Sequence, residues 1–254
     1  MPSVSSVPLA VVLVEPQIPG NVGAVARSMA NFGLNDLRLV CRDQGAILDR
    51  EETLRRARWA APILETAALY RDLRSALSGC LAAWGTSSHP WDHCAEIGPR
   101  QFGKEASRGG PERPVALVMG RERQGLSKEE QSLCRGVVRI PTNPSYRDLN
   151  LSHAACVLFY EASQGRDQDR GRAAAQEGGA SLPEVDETQR FVGDARNLLM
   201  DIGYLKPETV EPFTMRLGAW LGQKPITREE LLTMQGMIHR LRLALQRARN
   251  DRAG

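Results

Sequence analysis

An apolar strand that ends in a cluster of prolines and restarts as a helix constrains this chain more than any other feature. Val137-Val138-Arg139-Ile140 is short and β-branched, which suits a buried strand, and Pro141, Asn143 and Pro144 stop it abruptly. From Leu151 the spacing changes. Leu151, Ala154, Ala155, Leu158 and Phe159 recur every three to four residues, the period of a buried helical face, with Asn150 or Ser152 available as the N-cap. The sixteen residues from Ile140 to Ala155 thus hold a strand end, a turn and a helix start. In open α/β sheets ligands bind beyond the carboxyl ends of strands, so this loop is a candidate site on physical grounds.

The rest of the chain repeats the same alternation. Apolar strands are expected near Leu9 to Val14, Leu37 to Val40, Cys80 to Trp84, Val115 to Met119 and Val137 to Ile140, separated by helical patterns, which argues an α/β fold with a parallel sheet. A helix from Asn21 to Asn31 would bury Val22, Val25, Ala26 and Met29 and close on Gly33 as its C-terminal cap. Between Trp91 and Pro114 glycine, proline and charge dominate, and a surface excursion with little regular structure is expected. From Gln164 to Pro183 no large apolar residue occurs before Leu182, which reads as a flexible linker. It separates a main domain, 1–163, from a small helical C-terminal domain, 184–254, with amphipathic patterns over 184–202, 209–221 and 227–249. So thin a helical core needs docking or dimerisation for stability.

Composition excludes several classes. An apolar content of 42% supports an ordinary buried core. The longest apolar run, Val7 to Val14, is too short to span a bilayer, and no signal-peptide pattern precedes it, so a soluble, cytoplasmic protein is expected. Cysteines 41, 80, 94, 134 and 156 form no Cys-x-x-Cys pair, which argues against a disulfide framework or a zinc ribbon and for reduced, structural thiols. His89, His93 and Cys94 have a spacing like that of metal ligands, but Pro90 prevents the helix that would join the imidazoles; no metal is expected. The net charge of +3 says little about nucleic acid. Arginine distribution says more. Arg50, Arg55, Arg56 and Arg58 cluster in one segment, and Arg240, Arg242, Arg247, Arg249 and Arg252 load the C-terminal helix; each run alone reads as a solvated face.

Three segments together resemble the SPOUT class of RNA methyltransferases: Asn21-Val22-Gly23-Ala24-Val25-Ala26-Arg27-Ser28-Met29, the stretch from Val115 to Ser127 with Gly120-Arg121-Glu122, and the stretch from Ile140 to Ala155. The resemblance covers about residues 9 to 161. It implies a C-terminal deep trefoil knot around S-adenosylmethionine, an RNA substrate, and a homodimer with its active site near the subunit interface. Within the class the chain is most similar to bacterial enzymes that methylate the ribose 2′-hydroxyl of tRNA two places before the anticodon, at nucleotide 32. Two arginine-rich faces then become candidate phosphate contacts.

The resemblance also assigns residues. Periodicity alone leaves Arg27 a surface arginine, whereas the matching arginine lies in the active site; a guanidinium is a poor base, so an electrostatic role on the ribose or phosphate is expected. Asn21 and Gly23 are expected to cap their helix and admit the RNA backbone. Thr86, Ser87, Ser88, Ile140, Arg147, Asp148 and Leu149 match cofactor contacts. Gly120 is expected to lack a side chain because the cofactor lies across the knot crossing. Glu122 and Asn150 hold the loops, and Asp148 departs from the serine the class often has there. His153, beside apolar neighbours, reads first as a packing histidine.

Two other readings compete. Asn143-Pro144-Ser145-Tyr146 is similar to the Asn-Pro-Pro-Tyr turn of Rossmann-type N-methyltransferases, but the glycine-rich loop and the acid after the second strand are both missing. No Gly-x-x-x-x-Gly-Lys phosphate loop occurs, which argues against nucleotide hydrolysis. The non-enzymatic alternative is an RNA-binding module that keeps the fold without catalysis.

Overall fold

The chain opens with β1 (Leu9–Val14), α1 (Pro19–Asn31), β2 (Asp36–Val40) and α2 (Glu51–Ala57), then a single 3-10 turn (Arg58–Ala60), α3 (Ala61–Glu65), β3 (Ala68–Tyr70) and α4 (Leu73–Ala76). Next come β4 (Ala82–Thr86), β5 (Ala95–Ile97), α5 (Pro99–Ala106), β6 (Val115–Met119), α6 (Lys128–Ser132), β7 (Gly136–Val138) and α7 (Leu151–Asp169). Helices α8 (Val185–Asp201), α9 (Pro207–Gln223) and α10 (Arg228–Ala253) complete it. This computed structural model describes residues 8–41, 46–91, 94–169, 182–223 and 226–253.

All seven strands lie in one sheet, in the order β3-β2-β1-β6-β4-β7-β5, and each pairing is parallel. Helices cover both faces, which is why β1 reads as an unbroken apolar run. Leu9, Val11 and Leu13 meet Val22, Val25 and Met29 of α1, with Phe102 of α5 and Phe159 of α7 in the same cluster. Ala10, Val12 and Val14 point the other way, into a layer with Leu73, Leu77, Leu126, Cys134 and Val185. Full burial of each large side chain contributes about 1.5–3 kcal/mol.

The end of α1 shows how closely local chemistry sets a boundary. Gly33 takes φ 68°, its N–H donates to Ala30 and that of Leu34 donates to Met29, so the helix closes in a Schellman motif. The expected glycine cap is present.

Residues 91 to 114 are more ordered than composition implies. β5 and α5 lie there, and α5 buries Phe102 and Ala106 one turn apart while packing on α7. Two apolar residues in a polar stretch are too few to register as a period; Pro99 at the first turn starts the helix and the facing α7 stabilises it. Both edge strands, β3 and β5, have three residues each and went unread for the same reason.

α7 continues through Asp169, into the segment expected to be linker; residues 170–181 lie outside the described part. Beyond them α8 docks on the chain's own sheet. The Val185 N–H donates to Cys80 O at 3.0 Å, Ser78 donates to Asp186 at 2.8 Å, and Arg113 pairs with Glu184 at 3.0 Å. A small third core of Phe191, Val192, Leu221 and Leu231 joins α8, α9 and α10. No helix among the described residues is long and apolar enough to cross a membrane. Burial pushes the Cys80 thiol up to about 11 and Cys134 up as well, which suits packing rather than nucleophilic cysteines.

Candidate active site

The site begins where β1 and its neighbour β6 end. After β1, Glu15 adopts a left-handed backbone (φ 43°), and its carboxylate accepts from Arg121 at 2.8 Å. Arg121 also donates to Glu130 at 3.0 Å. Glu130 closes a capping box with Ser127 at the start of α6. Its carboxylate first, then that of Glu15, holds the guanidinium charged well above its ordinary range. Two strand ends and one helix start are thereby fixed around one cation.

Glu122, the next residue, reaches across to α1. That helix starts without a capping side chain, because Ile18 occupies the N-cap position. Glu122 supplies the missing acceptor, taking the N–H groups of Gln17 at 2.9 Å and Ile18 at 3.1 Å, and the Asn21 side-chain amide at 3.0 Å. A carboxylate only accepts, so Asn21 must turn its nitrogen to Glu122 and its oxygen outward. That oxygen accepts the Asn150 Nδ2–H at 3.0 Å. The Asn150 oxygen in turn accepts the Ser152 N–H at 2.9 Å, which makes Asn150 the N-cap of α7. One polarised chain, Asn150 to Asn21 to Glu122, joins the three segments singled out in the sequence.

Beside this chain lies a cleft of about 540 Å³ at the carboxyl ends of β6, β4 and β7, strands adjacent in the sheet. Thr86, Ser87 and Ser88 line it after β4, Gly120 and Glu122 after β6, and Ile140, Arg147, Asp148, Leu149 and Asn150 after β7; Asn21 reaches it from α1. Its apolar wall includes Met119, Leu126, Leu151 and Leu158. Trp91, lying against Gly85, also lines it and was missed because it falls in the stretch read as irregular. The loop after β7 holds its own shape: Ser145 N–H donates to Asn143 Oδ1 at 2.9 Å, and Thr142 donates to Arg147 O at 3.0 Å.

Three expectations need correction. Asn21 lies inside α1 and does not cap it; the cap comes from Glu122. Gly23 sits mid-helix, where a Cβ would lie 2.9 Å from Arg56 Cβ and still closer to the Thr53 carbonyl, so it admits α2 rather than an RNA backbone. Gly120 lines the cleft as expected of a cofactor contact and has a further reason internal to the chain, since a Cβ would come 2.6 Å from Leu126 N. His153 is exposed on α7 instead of packed, and neither it nor Gly23 lines the cleft. His93 lies outside the described residues. Arg27 is exposed on α1, outside the cleft wall, and makes no ion pair among the described residues.

Residues 8–160 match the SpoU rRNA methylase family. The chain belongs to the SpoU methylase family. Its relatives include the tRNA (cytidine/uridine-2′-O-)-methyltransferase TrmJ of Cronobacter sakazakii, 31% identical over 95% of this chain and 97% of that one. The tRNA (cytidine/uridine/adenosine-2′-O-)-methyltransferase TrmJ of Pseudomonas aeruginosa is 34% identical over 90% and 91%. Among solved structures, TrmJ from Z. mobilis ZM4 superposes with a TM-score of 0.77 at 26% identity, covering 92% of this chain and 98% of its own. The parallel sheet is thus that of the knotted SPOUT methyltransferases.

Proposed function

We propose that this SpoU methylase transfers a methyl group from S-adenosylmethionine to a ribose 2′-hydroxyl of tRNA at nucleotide 32 of the anticodon loop, working as a cytoplasmic homodimer. The observation that carries this reading is the hydrogen-bonded chain from Asn150 through Asn21 to Glu122 at the edge of the cleft. The similarity to tRNA 2′-O-methyltransferases over nearly the whole chain, C-terminal helices included, supports tRNA as the substrate. Residues 184–254 form the unit that adds a basic face for the tRNA.

The cleft suits a nucleoside with a charged tail. Its volume lies within the usual range for small-molecule sites, and its lining includes three hydroxyl residues, an aliphatic wall and the exposed Asp148. Bound there, the cofactor would supply an electrophilic methyl group for the ribose oxygen. The chain's own task is placement and charge. Glu122, Asn21 and Asn150 hold the loops after β6 and β7 and the start of α1 in one register. Arg27, on the exposed face of α1, orients the phosphate or ribose and stabilises charge developing on the oxygen.

Mass spectrometry of nuclease-digested tRNA after incubation with labelled cofactor tests the proposal. Label on the ribose of nucleotide 32 is expected. Label on a base, or only in ribosomal RNA, overturns it, and cofactor binding without transfer to any RNA marks a non-catalytic RNA-binding module.

A further inference from the structure

The most exposed large apolar side chain in the described protein is Trp59, at 97% of its possible surface. Its backbone is not loose. Ala57 and Ala60 on either side are buried, and Ile63 and Leu64 follow them into the core. Between the two anchored alanines Arg58 leaves the helical conformation for a sparsely populated positive-φ region (φ 52°, ψ −118°), which costs a residue with a Cβ about 1–3 kcal/mol. That break takes Trp59 out of the buried periodicity of α2 and presents its indole to solvent.

The surroundings are cationic. Arg55, Arg56 and Arg58 flank Trp59 and Arg50 lies at the start of α2; all four are exposed, and none makes an ion pair among the described residues. Asp49, Glu51 and Glu52 offset the charge around Arg50 at the start of α2, so the positive charge is concentrated at its other end, on Arg55, Arg56 and Arg58 beside Trp59. α2 meets α1 in close backbone contact, with Arg56 Cβ against Gly23, and Arg27 lies one turn further along α1. The corner therefore flanks the helix that carries the arginine assigned to the substrate.

We propose that Trp59 is a stacking platform for an unpaired base of the RNA substrate, with Arg55, Arg56 and Arg58 holding the adjacent phosphates. The inference rests on the RNA-methylating reading above and adds to it a contact outside the cleft. A rigid, exposed indole gives a base a π-face to stack on without selecting its sequence, and guanidinium groups beside it neutralise the backbone. A second copy of this chain fits less well. A copy seated there would bury guanidinium groups that have no ion-pair partner among the described residues, which costs stability unless carboxylates stand opposite them.

The test compares the full-length wild type with Trp59→Ala and Trp59→Phe. Fluorescence anisotropy gives the Kd for labelled tRNA at several salt concentrations, calorimetry the S-adenosylmethionine affinity, and sedimentation the oligomeric state. Trp59→Ala should weaken tRNA binding about tenfold, about 1.4 kcal/mol, with an unchanged salt slope, cofactor affinity and oligomeric state, while Trp59→Phe stays within about threefold. Arg55→Ala with Arg56→Ala should instead flatten the salt slope. Unchanged tRNA affinity in Trp59→Ala overturns the stacking contact, and so does a loss that accompanies dissociation of the oligomer. A wild type that modifies another RNA overturns the tRNA reading alone, because the same comparison on that RNA still decides the stacking contact. A wild type that binds no RNA overturns both.

Discussion

Arg27 and Asn21 lie on one helix and do different work. Arg27 faces solvent, so its removal leaves the packing of α1 intact. If Arg27 has the proposed role, Arg27→Ala lowers kcat by a hundredfold to a thousandfold, about 3–4 kcal/mol, with cofactor affinity unchanged by calorimetry; a collapse of cofactor affinity would move Arg27 out of that proposed role. Asn21 is buried between a carboxylate and an amide. Asn21→Asp replaces the donor facing Glu122 with a second carboxylate and should destabilise the fold by about 1–3 kcal/mol at neutral pH. Two adjacent carboxylates can share a proton, so the deficit should shrink as the pH falls toward the ordinary carboxylate range. Denaturant midpoints for wild type and variant across that range check it, and a deficit independent of pH would show that the new carboxylate turns away from Glu122.

Contacts between elements explain residues whose local role is invisible. Gly23 looks like a helix-start glycine in the sequence and is a helix-crossing glycine in the structure, because the Thr53 carbonyl of α2 occupies the space of its side chain. Gly23→Ala should force α1 and α2 apart and cost about 1–3 kcal/mol, read as a lower denaturant midpoint with or without RNA. If only RNA binding fell, with normal stability, the glycine would serve the substrate after all. Caps show the same dependence. Ser127 and Glu130 form a box legible from three-residue spacing, and Asn150 caps α7 as one of two candidates. The cap of α1 comes from Glu122, 104 residues from Ile18, and no local pattern could announce it.

Across the whole molecule the arginines of α10 separate into two kinds. Arg242 is half-buried and donates to Asp194, both at its carboxylate and, at 3.1 Å, at its carbonyl, so it ties α10 to α8. Arg240 and Arg247 are exposed and free of ion pairs among the described residues. Arg240→Ala with Arg247→Ala should therefore reduce the slope of log Kd for tRNA against log salt by up to about 2, roughly one per lost phosphate contact. Arg242→Ala should leave the slope alone and lower stability by about 0.2–1 kcal/mol. Equal slopes for wild type and the double variant would return α10 to an ordinary solvated face.

Most of the sheet was legible in the sequence because its central strands are buried on both sides, and burial on both sides forces a continuous apolar run such as Leu9–Val14. The helix of Leu151, Leu158 and Phe159 was legible for the related reason that a buried face repeats every turn. Edge strands of three residues and the sparse face of α5 carry no such repeat; their partners across the sheet and on α7 decide them. At the candidate site the sequence by itself determined which loops stand at strand ends and which polar residues they hold. Only the tertiary structure decided that Glu122 faces Asn21, that Asn21 faces Asn150, that Trp91 joins the cleft wall and that Trp59 stands outside the core. The reason is physical: periodicity records whether a residue is buried, whereas a hydrogen bond between segments 101 or 129 residues apart exists only once the strands between them have been ordered in the sheet.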